Sequence, residues 1–114
     1  MNVLVVEDSA DQAELLRVHL QKAGCDVALV ESAEDAIVAY THRQFDLAVV
    51  DLHLPGMNGW ELVNHMKRDR PGLAIAVTSV LDSKEYPDVP WALPKPFTKD
   101  QVRHVVDVVA DGAA

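Results

Sequence analysis

Short apolar runs recur at residues 3–6, 27–30, 47–50, 73–77 and 91–93, each bounded by acidic or turn-forming residues. Runs of this length, rich in valine, predict strands. Between them apolar positions repeat every three or four residues: Ala13, Leu15, Leu16, Val18 and Leu20, then Ala36, Ile37 and Tyr40, then Leu62, Val63 and Met66. That spacing predicts amphipathic helices. A last stretch, with Val102, Val105, Val106, Val108 and Val109, is β-branched, but it follows Thr98-Lys99-Asp100-Gln101. The Thr-x-x-Gln pattern is a capping box, so the stretch reads as a helix. Ser9 before Gln12, Ser32 before Asp35, and Asn58 offer similar helix starts.

Strands that alternate with helices imply right-handed βαβ units around a parallel sheet, with the first, third and fourth strands covered on both faces. Pro94 in the fifth strand cannot donate to a ladder, which places that strand at an edge. Residues 81–90 read LDSKEYPDVP, where a crossover helix belongs between strands 4 and 5. Two prolines and almost no apolar periodicity leave that helix shortened or missing. Residues 111–114 read as a frayed tail.

The 114 residues are 49% hydrophobic and 25% charged, the profile of one domain spanning 1–114. Cys25 is the sole cysteine, so no intramolecular disulfide or cysteine-clustered zinc site forms. Ten Lys and Arg against 18 Asp and Glu give a net charge of −8, which repels nucleic acid and anionic lipid. No signal peptide or membrane-spanning run is present, so a cytoplasmic location is expected, with no nucleic-acid or membrane partner.

Glu7 and Asp8 follow strand 1, and Asp51 follows the apolar run of strand 3. All three therefore fall at carboxyl ends of parallel strands, where open α/β sheets bind ligands; a strand order of 2-1-3-4-5 brings them together. Carboxylates this close repel, and a hard divalent cation such as Mg²⁺ relieves the conflict. Thr78 at the end of strand 4 and Lys95 at the end of strand 5 join the same rim. A carboxylate with a cation on one side and hydroxyl and ammonium donors on the other is equipped to receive a phosphoryl group.

These residues sit in motifs: Val5-Val6-Glu7-Asp8, Asp51-Leu-His-Leu-Pro55-Gly-Met57-Asn-Gly59, Thr78-Ser79 and Lys95-Pro96-Phe97. In that order the chain resembles, over essentially its whole length, a receiver domain of the two-component response regulators. The resemblance implies a flavodoxin-like sandwich in which Asp51 accepts a phosphoryl group from a sensor histidine kinase or a histidine phosphotransfer protein. It implies that Asp8, Asp51 and the backbone carbonyl of His53 ligate Mg²⁺, with Glu7 acting through water, and that Thr78 and Lys95 contact the phosphoryl oxygens. It also implies a cis Lys95–Pro96 bond, a protein as downstream target, and no enzymatic turnover beyond self-catalysed phosphoryl acceptance and loss.

Three features depart from the family pattern. The segment between Thr78 and Lys95 is shorter than usual, Ser79 stands where Ala or Gly is common, and Ala92 takes the place of the aromatic three residues before the lysine. Trp91, one position earlier, faces the other way by strand alternation. An alternative is a Mg²⁺-dependent hydrolase with an aspartyl nucleophile, but such enzymes pair Asp-x-Asp, and this chain has Asp51-Leu52-His53. A flavin module is disfavoured by the acidic loop after strand 1, which would repel the phosphate. His19, His42, His65 and His104 stand singly, without metal-ligand spacing, and Trp60 reads as packing beside the Asp51 loop.

Overall fold

The computed structural model describes residues 1–80 and 86–112. Its elements are β1 (Asn2–Val6), α1 (Ala10–Lys22), β2 (Asp26–Val30), α2 (Ala33–His42), β3 (Leu47–Asp51), α3 (Gly59–Asp69), β4 (Ala74–Ser79), β5 (Trp91–Pro94) and α4 (Lys99–Gly112). The strands pair parallel throughout, in the order β2-β1-β3-β4-β5. The fold is the three-layer, flavodoxin-like sandwich that the alternation predicts.

Successive side chains of a strand point to opposite faces, and this divides the core in two. Val3, Val5 and Val49 lie in one apolar cluster, closed by Leu16 and Leu20 of α1 and by Val102, Val105, Val106 and Val109 of α4. Leu4, Val6, Ala48 and Val50 lie in the other, closed by Ala36 and Tyr40 of α2 and by Leu62, Val63 and Met66 of α3. Because β1 and β3 carry apolar side chains on both faces, their sequences are unbroken apolar runs rather than alternating ones.

The caps form as their residue types dictate. Ser9 accepts from the Gln12 amide at 3.5 Å, Ser32 from Asp35 at 3.1 Å and Asn58 from Glu61 at 3.0 Å. At α4 both halves of the capping box are made, Gln101 N–H to Thr98 Oγ1 at 3.1 Å and Thr98 N–H to Gln101 Oε1 at 2.7 Å. Such caps satisfy amides that have no intrahelical partner.

β5 lies at the sheet edge with Pro94 as its last residue, as expected. Trp91 packs on the α1/α4 cluster while Ala92 is exposed on the other face. Of the segment expected to lack its helix, residues 81–85 lie outside the described residues; among the described residues no helix stands between β4 and β5. Tyr86 and Val89 pack onto the α2/α3 cluster instead, Tyr86 donates its hydroxyl to the Ser79 carbonyl at 3.2 Å, and the Lys67 ammonium reaches the Asp88 carbonyl. Of the frayed tail expected at residues 111–114, residues 113–114 lie outside the described residues, while 111–112 are corrected: α4 continues through Asp111 to Gly112, with Val109 buried in the core one turn earlier.

Candidate phosphoryl and metal site

The strand order carries three acids to one rim. β1 and β3 are neighbours, so the residues after Val6 and the last residue of β3 meet at their carboxyl ends. One carboxylate oxygen from each of Glu7, Asp8 and Asp51 lies within 4.8 Å of the others. Glu7 and Asp51 are 2% and 4% exposed, whereas Asp8 faces solvent. Two buried carboxylates and an exposed one give a donor set of hard oxygens, open on one side, which suits a hydrated divalent cation.

Lys95 closes the buried side. Its ammonium stands 3.2 Å from Asp51 Oδ2 and 3.3 and 3.4 Å from the two oxygens of Glu7. The backbone delivers it there: the Lys95 amide donates to the Ser79 carbonyl at 2.9 Å, the Lys95–Pro96 peptide is cis, and Phe97 is anchored in the core. One ammonium facing two carboxylates leaves a deficit of positive charge. Burial above all, then the hydrogen bond to Asp51 and its charge, push Glu7 up to about 7, while Lys95 pulls the other way.

Thr78 pairs in register with Asp51 on the adjacent strand, and its peptide carbonyl accepts from Leu52 N–H at 3.2 Å. Its hydroxyl is buried and has no hydrogen-bond partner among the described residues. A buried hydroxyl without a partner costs stability unless something at the site completes it.

The loop from β3 to α3 is tightly drawn. His53 N–H donates to Asp51 Oδ1 at 2.9 Å, and Gly59 N–H returns to the Leu52 carbonyl at 3.1 Å. A Cβ on Gly59 would run into the Asp51 carbonyl oxygen and stand 2.5 Å from Leu52 Cα, so only glycine fits. The His53 side chain is exposed and meets Trp60 edge-to-face, with ring centroids 6.0 Å apart.

The structure brings Glu7, Asp8, Asp51, Thr78 and Lys95 to one rim, and at His53 it places the backbone N–H on Asp51 Oδ1. Sequence reasoning missed Glu34, whose carboxylate accepts from the Met57 amide of this loop at 3.4 Å. An acid in the first turn of a helix reads as compensation of the helix dipole, so no sequence signal pointed from α2 to the loop. A cavity of about 740 Å³ at the opposite end of the sheet, lined by Tyr40, Arg43, Phe45 and Arg70 among others, contains none of the candidates. There Tyr40 donates to Asp69 at 2.7 Å and Arg70 to the last carbonyls of α2, which is helix-end structure.

Comparison with known proteins shows the family of the chain. The model of the response regulator receiver domain matches residues 3–107. A response regulator receiver protein of Anaeromyxobacter sp. is 31% identical over 105 residues, 87% of this chain and 44% of its own length. The luminescence regulatory protein LuxO of Vibrio campbellii is 38% identical over 71 residues, 62% of this chain and 16% of its own. The chain therefore spans under half the length of either. A sensor protein from Polaromonas sp. JS666, whose crystal structure is known, is 31% identical, covers 99% of this chain and 98% of its own, and superposes with a TM-score of 0.87.

Proposed function

Since the chain belongs to the response regulator receiver domain family, we propose that residues 1–114 act as one phosphoacceptor domain with Asp51 as the acceptor. The donor is a phosphohistidine of a sensor histidine kinase or a histidine phosphotransfer protein. An Asp51 oxygen attacks phosphorus, a P–O bond forms as the P–N bond breaks, and the electron pair returns to the departing imidazole. Charge builds on the equatorial oxygens during this loose transfer, and catalysis consists of positioning and neutralisation.

The observation that carries this reading is the partnerless buried hydroxyl of Thr78, in register beside Asp51. A phosphoryl group on Asp51 supplies the acceptor that this hydroxyl lacks. Lys95, already at Asp51 Oδ2, donates a charge-assisted bond to the same group. Asp8, Asp51 and the backbone carbonyl of His53 would hold Mg²⁺, with Glu7 acting through water; the ion supplies positive charge to the phosphoryl oxygens when bound. The three carboxylates fit that role in type and spacing.

Turnover of a separate substrate is not part of this reading. Mg²⁺-dependent hydrolases with an aspartyl nucleophile commonly carry a second acid two residues after it, and His53 stands there. The output is altered binding to a downstream protein in the cytoplasm; no helix among the described residues is long and apolar enough to cross a membrane.

Acetyl phosphate with Mg²⁺, read by intact-mass spectrometry, tests the acceptor. One phosphoryl group is expected on the wild type, none on Asp51→Asn, and none after chelation. Modification that persists in Asp51→Asn would overturn the assignment.

A further inference from the structure

The loop that follows Asp51 is fastened at both ends, and among the described residues its middle is tied to another element by Glu34. Its ends are held by His53 N–H on Asp51 Oδ1, by Gly59 N–H on the Leu52 carbonyl, and by the Asn58 cap of α3. Between them the chain turns at Gly56, which has a φ of +70°. The Glu34 carboxylate, from the first turn of α2, lies against that turn. It accepts from Met57 N–H at 3.4 Å, and a Cβ on Gly56 would stand 3.4 Å from Glu34 Oε2.

We propose that Glu34 is a positioning residue of the phosphoryl site, a strap from α2 that holds the turn at residues 55–57 and so presents the loop around His53 in its cation-binding form. The inference rests on the function proposed above. A loop ordered in advance does not have to be ordered when an ion or phosphoryl group arrives, so the strap appears as affinity. The Met57 amide takes its acceptor from outside the loop, in the Glu34 carboxylate. Glycine at position 56 permits the positive φ of the turn, and the carboxylate stands within ordinary contact distance of where a Cβ would be.

Glu34 also carries charge, and a carboxylate near a cation attracts it through space. Substitutions separate the two effects. Glu34→Gln keeps an acceptor oxygen and removes the charge; Glu34→Ala removes both; Asp35→Ala removes a charge from the same helical turn. The measurements are Mg²⁺ affinity by calorimetry, phosphoryl acceptance from acetyl phosphate at low and at saturating Mg²⁺, and hydrogen exchange at the Met57 amide.

Glu34→Ala is expected to weaken Mg²⁺ binding about tenfold. It should slow phosphoryl acceptance at low Mg²⁺, recover at saturating Mg²⁺, and lose protection at the Met57 amide. Glu34→Gln is expected to stay within about twofold of wild type, as is Asp35→Ala. Glu34 is exposed, so its substitutions leave the core untouched. Wild-type behaviour of Glu34→Ala, or equal losses in all three variants, would overturn the strap. A wild type that binds no Mg²⁺ and accepts no phosphoryl group would overturn the function itself, whatever the exchange at Met57 shows.

Discussion

Glu7 is a carboxyl group in the wrong solvent: it is buried beside Asp51, and one ammonium serves both. With its proton affinity pushed up to about 7, the group is neutral in both folded and unfolded chain below its ordinary value of 4.5. Its contribution to stability is complete there. As pH rises through that interval the unfolded chain gives up the proton first, so folded stability falls, by on the order of 2–3 kcal/mol. The cation-free wild type should therefore lose more stability between about pH 5 and about pH 8 than Glu7→Gln, which has no such proton. Urea unfolding at the two pH values checks this, and parallel losses would contradict it. Mg²⁺ should narrow the gap, since it favours the ionised carboxylate. That Glu7 belongs to the site was legible in the sequence from its place at the end of an apolar run. Its altered acidity was not, because that depends on burial and on residues 44 and 88 positions away along the chain.

At the scale of elements, α3 is set against β3 by one contact that no side chain permits. Gly59, the first residue of α3, lies so close to the Asp51 carbonyl and Leu52 Cα that Gly59→Ala must displace the helix or the end of the strand. A cost of about 1–3 kcal/mol is expected, read as a lower denaturation midpoint. Phosphoryl acceptance should fall with it, because the displaced strand carries Asp51. Helix starts were the most legible elements: Ser9, Ser32, Asn58 and Thr98 cap the helices that their spacing indicates. Local chemistry decides a cap, and local chemistry is what a sequence displays. That α4 runs on to Gly112 was not legible, since Val109 near its end is buried in a cluster with residues of β1, β3 and α1 that are far away in sequence. Likewise, nothing in LDSKEYPDVP announced that Tyr86 would lie on the α2/α3 cluster and reach the Ser79 carbonyl, one residue from Thr78. Among the described residues no helix covers this face between β4 and β5, and an aromatic six residues before Ala92 covers part of it.

For the whole molecule, the parallel topology assigns chemistry to one end of the sheet and leaves the other to structure. Parallel strands all finish at the same rim, so residues from β1, β3, β4 and β5 that are distant in sequence become neighbours without any local signal. The order of the strands was legible from Pro94, which sets β5 at an edge, from the family resemblance and from the acids that the order gathers; the pairing of Asp51 with Thr78 needed the three-dimensional register. The central claim is that position at that rim, not acidity in general, makes a cation site. Calorimetric titration with Mg²⁺ of Asp8→Asn beside Asp26→Asn tests it most directly. Each variant removes one negative charge from an exposed aspartate, but Asp8 follows the carboxyl end of β1 whereas Asp26 opens β2 at the opposite end. Asp8→Asn should bind Mg²⁺ about tenfold more weakly or worse, with Asp26→Asn indistinguishable from wild type. Equal weakening of the two would mean that the protein attracts the ion by its net charge alone, and the account given for the rim would be wrong.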